Sequence, residues 1–262
     1  MRQSCGQFES AAATDVGKVR LENEDAFLLA PERGVFAVAD GMGGHEAGRL
    51  ASAVVVEELG RIEEPASVAE LVARCRARLG RANARLIEIA AERGAPVMGA
   101  TVAALLAWEG YYACVWSGDS RIYLVRRGAI AQLSRDHTEV AELVAEGVLT
   151  AQEAQSWPRR NVITRAVGVY ADLELEVTQG VLEKGDVFVI CSDGLTTHVS
   201  DAEIFEAIRL GPPGEACARL VALTLERGAS DNVTVLAARY APAGSTVVFP
   251  QDEAAKARWP KR

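Results

Sequence analysis

The chain has 262 residues, 49% of them hydrophobic and 24% charged, which suits a soluble globular protein of one large domain or two small ones. Its net charge of −8 speaks against the basic surface that non-specific nucleic-acid binding needs, and against docking on an anionic membrane. Cys5, Cys75, Cys114, Cys191 and Cys217 are odd in number, widely spaced and without a Cys-x-x-Cys, so buried reduced thiols are expected, not a disulfide framework or a zinc site.

No apolar run reaches membrane length and no signal-peptide core follows Met1, so a cytoplasmic protein is expected. The first clear element is an apolar strand, Val35–Ala39, that runs into Asp40-Gly41. A short helix is expected after Gly44, with Leu50, Val54 and Leu59 inward. The spacing of Leu71, Val72, Cys75, Leu79, Ala82, Leu86 and Ile89 predicts a helix over 66–92. Strands follow at Ala100–Trp108, Tyr111–Trp116 and Ile122–Val125, the first two joined by a Glu109-Gly110 hairpin. Residues 134–160 carry two short helical patterns; Thr150 and Glu153 fit a capping box, and Trp157-Pro158 ends that helix. Val187–Cys191 is a second strongly apolar strand and leads through Ser192 into Asp193-Gly194. Ser200 and Glu203 open another helix, and Val233–Ala238 is the last strand. Residues 242–262 turn to Pro, Gly, Ser and charge and are expected to form a poorly ordered tail after a domain over 8–241. Strands outnumber helices and come in hairpin groups, which favours an α+β fold of antiparallel sheets covered by helices.

The two strongly apolar strands each deliver an aspartate followed by glycine. Asp-Gly is also a common turn signal, so either copy alone says little. The full acidic set is Glu24, Asp25, Asp40, Asp119, Asp193 and Asp231, and several of its members stand at the ends of buried strands. Carboxylates gathered in that way repel one another unless a cation joins them. Oxygen-only ligands favour Mg²⁺ or Mn²⁺.

Thr14-Asp15-Val16-Gly17, then Arg20, then Asn23-Glu24-Asp25, resembles the opening motif of the metal-dependent protein phosphatases of type 2C. Asp40-Gly41-Met42-Gly43-Gly44-His45 resembles the bacterial form of their second motif. Gly99-Ala100-Thr101, Ser117-Gly118-Asp119-Ser120-Arg121, Ser192-Asp193-Gly194-Leu195 and Asp231-Asn232 resemble the later ones, in family order. Asp136-His137-Thr138 and Asn161-Val162-Ile163-Thr164-Arg165 resemble the segments flanking the bacterial flap. The match runs from about residue 10 to 240.

The resemblance implies a four-layer α-β-β-α sandwich with a helical flap by the active site. It implies hydrolysis of phosphoserine and phosphothreonine in proteins by a water activated between two metal ions. Asp40 is then expected to bridge both ions, with the Gly41 carbonyl on one and Asp193 and Asp231 on the other. Glu24 and Asp25 are expected to act through metal-bound water, and Asp119 with Asp193 to hold a weaker third ion. Arg20 is expected to clamp the phosphate with its planar fork. Family members of the eukaryotic form carry His directly after Asp-Gly, where this chain has Met42. His45 is left either to protonate the leaving oxygen or order a water, or to pack at the helix N-terminus. Trp157 is a candidate exposed aromatic contact, and His198 reads as structural. Expected partners are phosphoproteins and an opposing bacterial serine/threonine kinase, with no nucleic acid or membrane, and the protein is expected to be a monomer. Two other readings stay open: a two-metal phosphodiesterase and a catalytically weak binding module on the same fold.

Overall fold

The computed structural model describes residues 7–44, 46–94, 97–159 and 161–241. Among them, strands form two antiparallel sheets. One sheet has the order β1 (Gln7–Asp15), β11 (Val233–Ala241), β10 (Val187–Cys191), β7 (Arg121–Arg126), β8 (Ala129–Gln132). The other has the order β2 (Asp25–Ala30), β3 (Val35–Met42), β5 (Val102–Trp108), β6 (Tyr111–Ser117), β9 (Glu176–Val181), with the short β4 (Gly99–Ala100) on the end of β3. Helices α1 (Glu46–Gly60) and α2 (Val68–Arg93) lie on the second sheet. Helices α5 (Asp193–Thr196), α6 (Asp201–Arg209) and α7 (Pro213–Glu226) serve the first. The flap carries α3 (Glu139–Ala145) and α4 (Ala151–Gln155). The expected four-layer α-β-β-α architecture is what the chain adopts.

Strand parity explains the layers, because successive side chains point to opposite faces. In β3, Phe36 and Val38 enter the core between the sheets, and Val35, Ala37 and Ala39 enter the core under α1 and α2. In β10, Phe188 and Ile190 face between the sheets, and Val187, Val189 and Cys191 face the α6–α7 side. Strands buried on both faces read as continuous apolar runs, which is why these two stood out in the sequence.

Several details differ from the sequence expectations. The strand expected over 100–108 is divided at Thr101 into β4 and β5. Asp193 opens a helical turn, with Ser192 as its N-cap residue. β1, β2, β8, β9 and α7 were not anticipated. Residues 242–262 lie outside the described residues, as does Cys5; the other four cysteines are free and buried.

Helix α2 also buries an amide on its apolar face. Asn83 Nδ2 donates to Tyr170 O at 2.9 Å, and its Oδ1 accepts from Gly168 N at 2.6 Å. It thereby fixes the loop between the flap and β9. Asn83→Ala is expected to lower stability by about 2 kcal/mol, since it strands buried backbone groups. A urea midpoint equal to wild type would contradict that.

Candidate metal centre

The parity that builds the middle core also places carboxylates at its end. Asp40 lies two residues beyond Val38 on β3, on the face between the sheets. Asp25 shares the parity of Leu29 on β2 and is the direct cross-strand partner of Asp40. Like charges directly opposite one another destabilise a ladder. From the facing sheet, Thr14, Ser192 and Thr234 continue the inward parity of Ala12, Ile190 and Leu236. The chain therefore closes one end of its hydrophobic interlayer with carboxylates and hydroxyls.

These carboxylates sit in one electrostatic neighbourhood. Burial, followed by Asp25, Asp193, Asp119 and Asp231, holds the Asp40 carboxyl well above the usual range. Asp193 is raised by burial and then by Asp231, with Asp40 opposing as a hydrogen-bond partner. Burial pushes Asp25 up to about 7, against the opposing hydrogen bonds of Thr234 and Ser192. Burial and then Asp193 push Asp119 up to about 8. Asp25 Oδ1 and Asp119 Oδ1 are buried without a hydrogen-bond partner. An unpartnered buried carboxylate oxygen is costly, and a cation is one way to satisfy it.

Arg20 Nη2 meets Asp231 Oδ2 at 2.6 Å and also feels Glu24 and Asp40. Glu24 lies behind Gly41, where Gly41 N donates to Glu24 O at 3.1 Å. A Cβ on Gly48 would stand 1.8 Å from Glu24 Oε2 and 3.0 Å from the Gly41 carbonyl oxygen. Glycine at 48 thus leaves open the place where the Glu24 carboxylate and that carbonyl converge. Asn232 staples the same loop: its Nδ2 donates to Val16 O and Glu22 O at 2.8 and 2.9 Å, and its Oδ1 accepts from Glu24 N at 2.8 Å. The sequence reading gave roles to neither Gly48 nor Asn232. A glycine in the first turns of a helix and an amide beside Asp231 were the available signals.

The donors are oxygens throughout, as hard divalent cations prefer. The thiol of Cys191 is pushed up to about 12 by burial, so it supplies no thiolate. Among the described residues no three His, Cys, Asp or Glu side chains are closed to metal-ligand spacing. Asp231 pairs with Arg20 and Asp40 with Asp193. The donor types and the two orphaned oxygens fit a divalent cation.

Beside Asp119 and Asp193 opens a cavity of about 540 Å³, walled by Arg121, Asp136, Val140 and Ala141 among others. Its outer wall is the flap, closed at its base by Glu139 N to Val162 O at 2.9 Å and Thr164 N to His137 O at 2.9 Å. Arg121 grips Asp136 through Nε and Nη2, the latter at 2.7 Å. His137 is buried, and its Nδ1 accepts from Gly118 N at 3.1 Å, which ties the flap to the loop carrying Asp119. His198 Nε2 accepts from Ser230 N at 3.2 Å, in keeping with a structural role. Trp157 is half-buried with its indole nitrogen enclosed, which corrects the expectation of an exposed aromatic contact. His45 lies outside the described residues.

Comparisons with known proteins agree on one family. Residues 18–222 match the family described as "Protein phosphatase 2C". The chain is 38% identical over 229 residues to the serine/threonine protein phosphatase PstP of Mycobacterium tuberculosis, covering 87% of this chain and 44% of that protein. It thus spans less than half the length of that relative. The solved structure of PppA, described as a key regulatory component of the T6SS in Pseudomonas aeruginosa, superposes with a TM-score of 0.85 at 41% identity, covering 91% of this chain and 100% of that one. The catalytic domain of PstP solved in complex with two manganese ions gives 0.78 at 36% identity, covering 88% and 97%.

Proposed function

The chain belongs to the protein phosphatase 2C family, and from that premise we propose that it hydrolyses phosphoserine and phosphothreonine in proteins with the help of Mn²⁺ or Mg²⁺. The observation that carries this reading is the gathering of Asp25, Asp40, Asp119, Asp193 and Asp231, with two buried carboxylate oxygens left unpartnered. Asp40 would serve both catalytic ions, with the Gly41 carbonyl on one and Asp193 and Asp231 on the other, and Glu24 would act through ion-bound water. Asp25 would likewise act through bound water, and Asp119 with Asp193 would hold a weaker third ion. Bound cations supply charge against the phosphate oxygens and acidify water near neutral pH.

The chain's own residues do the rest. Arg20, half exposed at the rim, offers two N–H groups to two phosphate oxygens, a geometry that a lysine does not match. The Asn232 staple holds the loop that carries it, so little order is lost when phosphate binds. His45 is assigned either to protonate the leaving oxygen or to order the water that does so. Arg121 and His137 hold the flap against the Asp119 loop and shape the cavity that receives the protein substrate. Residues 8–241 form the phosphatase domain. Its substrates are those of an opposing serine/threonine kinase, and it works as a cytoplasmic monomer. No helix among the described residues is long and apolar enough to cross a membrane.

The test is phosphopeptide hydrolysis in EDTA, Mg²⁺ and Mn²⁺ side by side, with a phosphodiester as control. Monoester hydrolysis is expected only with added metal, and at least about a hundredfold faster than diester hydrolysis. Activity that survives EDTA, or a preference for the diester, contradicts the reading. Arg20→Ala is expected to raise KM about tenfold, the worth of a charge-assisted hydrogen bond, with kcat changing less. A collapsed kcat at constant KM would confine Arg20 to the transition state.

A further inference from the structure

Behind Asp25 runs a chain of hydroxyls that the proposed reaction does not use. Asn23 Oδ1 accepts the Asp25 N–H at 3.1 Å, which fixes the orientation of the amide and turns Nδ2 toward Thr14. Asn23 Nδ2 donates to Thr14 Oγ1 at 2.8 Å. Thr14 Oγ1 lies 2.8 Å from Thr234 Oγ1, and the Thr234 side chain acts on the Asp25 carboxyl as a hydrogen-bond donor would, opposing its rise. A second arm is shorter: Thr234 N donates to Ser192 Oγ at 3.0 Å, and Ser192 Oγ donates to Asp25 Oδ2 at 2.8 Å. Ser192 and Thr234 have no exposed surface.

The donor direction follows from chemistry. An amide NH₂ only donates, so Thr14 Oγ1 accepts from Asn23; where Thr234 gives its one proton to Asp25, its Oγ1 must accept from Thr14. An ionised carboxylate only accepts, so both arms must end as donors on Asp25. Each terminal hydroxyl is polarised by an upstream donor, which strengthens its bond to the carboxylate. Asp25 is therefore held by its backbone N–H and by two hydroxyls, while Oδ1 is buried and unpartnered.

We propose that Ser192, Thr234 and Thr14 are positioning residues that turn Asp25 so that Oδ1 alone faces the metal centre, and thereby set the affinity of that centre for divalent cations. This rests on the metal-dependent reading above. None of the three touches the cation or the substrate in this account.

The experiment is calorimetric titration of the metal-stripped protein with Mn²⁺ alone, alongside thermal unfolding in EDTA. Thr234→Val keeps the shape and removes the hydroxyl, Thr234→Ser keeps the hydroxyl, and Ser192→Ala removes the other arm. Thr234→Val and Ser192→Ala are expected to weaken Mn²⁺ binding about tenfold, the low end of the cost of removing a partner behind a ligand, because Asp25 reaches the cation through water. Thr234→Ser is expected to stay within a few-fold of wild type. Thr14→Val, two bonds away, is expected to lose several-fold. A merely structural role would lower the melting temperature in EDTA and leave the Mn²⁺ affinity unchanged. Wild-type affinity in both Thr234→Val and Ser192→Ala overturns the proposal, as does equal loss in Thr234→Ser and Thr234→Val. If one variant fails to fold, the other carries the comparison. A wild-type protein that binds no Mn²⁺ overturns the metal-dependent reading instead.

Discussion

Asp40→Asn is expected to abolish metal-dependent phosphatase activity, by about a thousandfold or more, while making the metal-stripped protein more stable. Both effects come from one position. The substitution removes the carboxylate assigned to both catalytic ions, and a metal ion supplies several kcal/mol of transition-state stabilisation, where each 1.36 kcal/mol is tenfold in rate. It also removes a half-buried acid placed directly across the ladder from Asp25 and close to Asp193, Asp119 and Asp231. Asparagine has the same shape and no ionisation for the fold to suppress, so the gain in EDTA is expected to be about 1–2 kcal/mol, the scale of a relieved functional strain. Urea denaturation in EDTA and phosphopeptide turnover in Mn²⁺ check the two halves. Activity within tenfold of wild type would remove Asp40 from the centre.

The stripped protein is expected to lose stability as pH rises from about 6.5 to 8, and Mn²⁺ is expected to cancel that loss. The folded chain holds Asp25 at about 7 and Asp119 at about 8, both raised first by burial. In the unfolded chain both titrate near 4. Between those values the native state carries protons that the unfolded state has released, so stability falls with rising pH and levels off above the folded pKa. His137, whose pKa is lowered by burial, acts in the opposite sense, but its contribution ends near its unfolded value of about 6.5. A loss of a few kcal/mol corresponds to a fall in Tm of about 10 °C for a chain of this size. A bound cation favours the ionised carboxylates and removes the reason for the protons. A stripped protein whose Tm rises between pH 6.5 and 8 would contradict the burial of these acids.

Much of this centre could be read from residues alone, because its arms are strands buried on both faces. Val35–Ala39 and Val187–Cys191 are apolar without interruption, so the aspartates that end them stand out. The helix that became α2 was legible for a similar reason, with Leu71, Cys75, Leu79, Ala82 and Leu86 fully buried at helical spacing. β1 and β2 were not legible. Gln7–Asp15 is rich in alanine and polar residues, and it is a strand because it pairs along its whole length with β11. Tertiary pairing overrode a weak local preference. Helix α7 carried a fair signal in Pro213 followed by Ala216, Cys217, Leu220 and Val221, diluted by its alanines. Gly48, Asn232 and the hydroxyls of Ser192 and Thr234 were illegible in a different way. Their roles depend on which backbone comes near them, and that is a property of the folded chain.

The clasp formed by Asn232 has a consequence for how this protein can change over generations. One side chain fixes both Val16 and Glu22, so the span between them is closed at its base whatever its tip contains. Val19 and Leu21, at 66% and 86% exposed, flank Arg20 and bury little. Substitutions at these two positions can alter what meets the guanidinium without moving Glu24 or Asp25. Mutational tolerance is thereby concentrated beside Arg20, so descendants of this chain can diverge in what meets that guanidinium while the carboxylate end of the interlayer stays fixed.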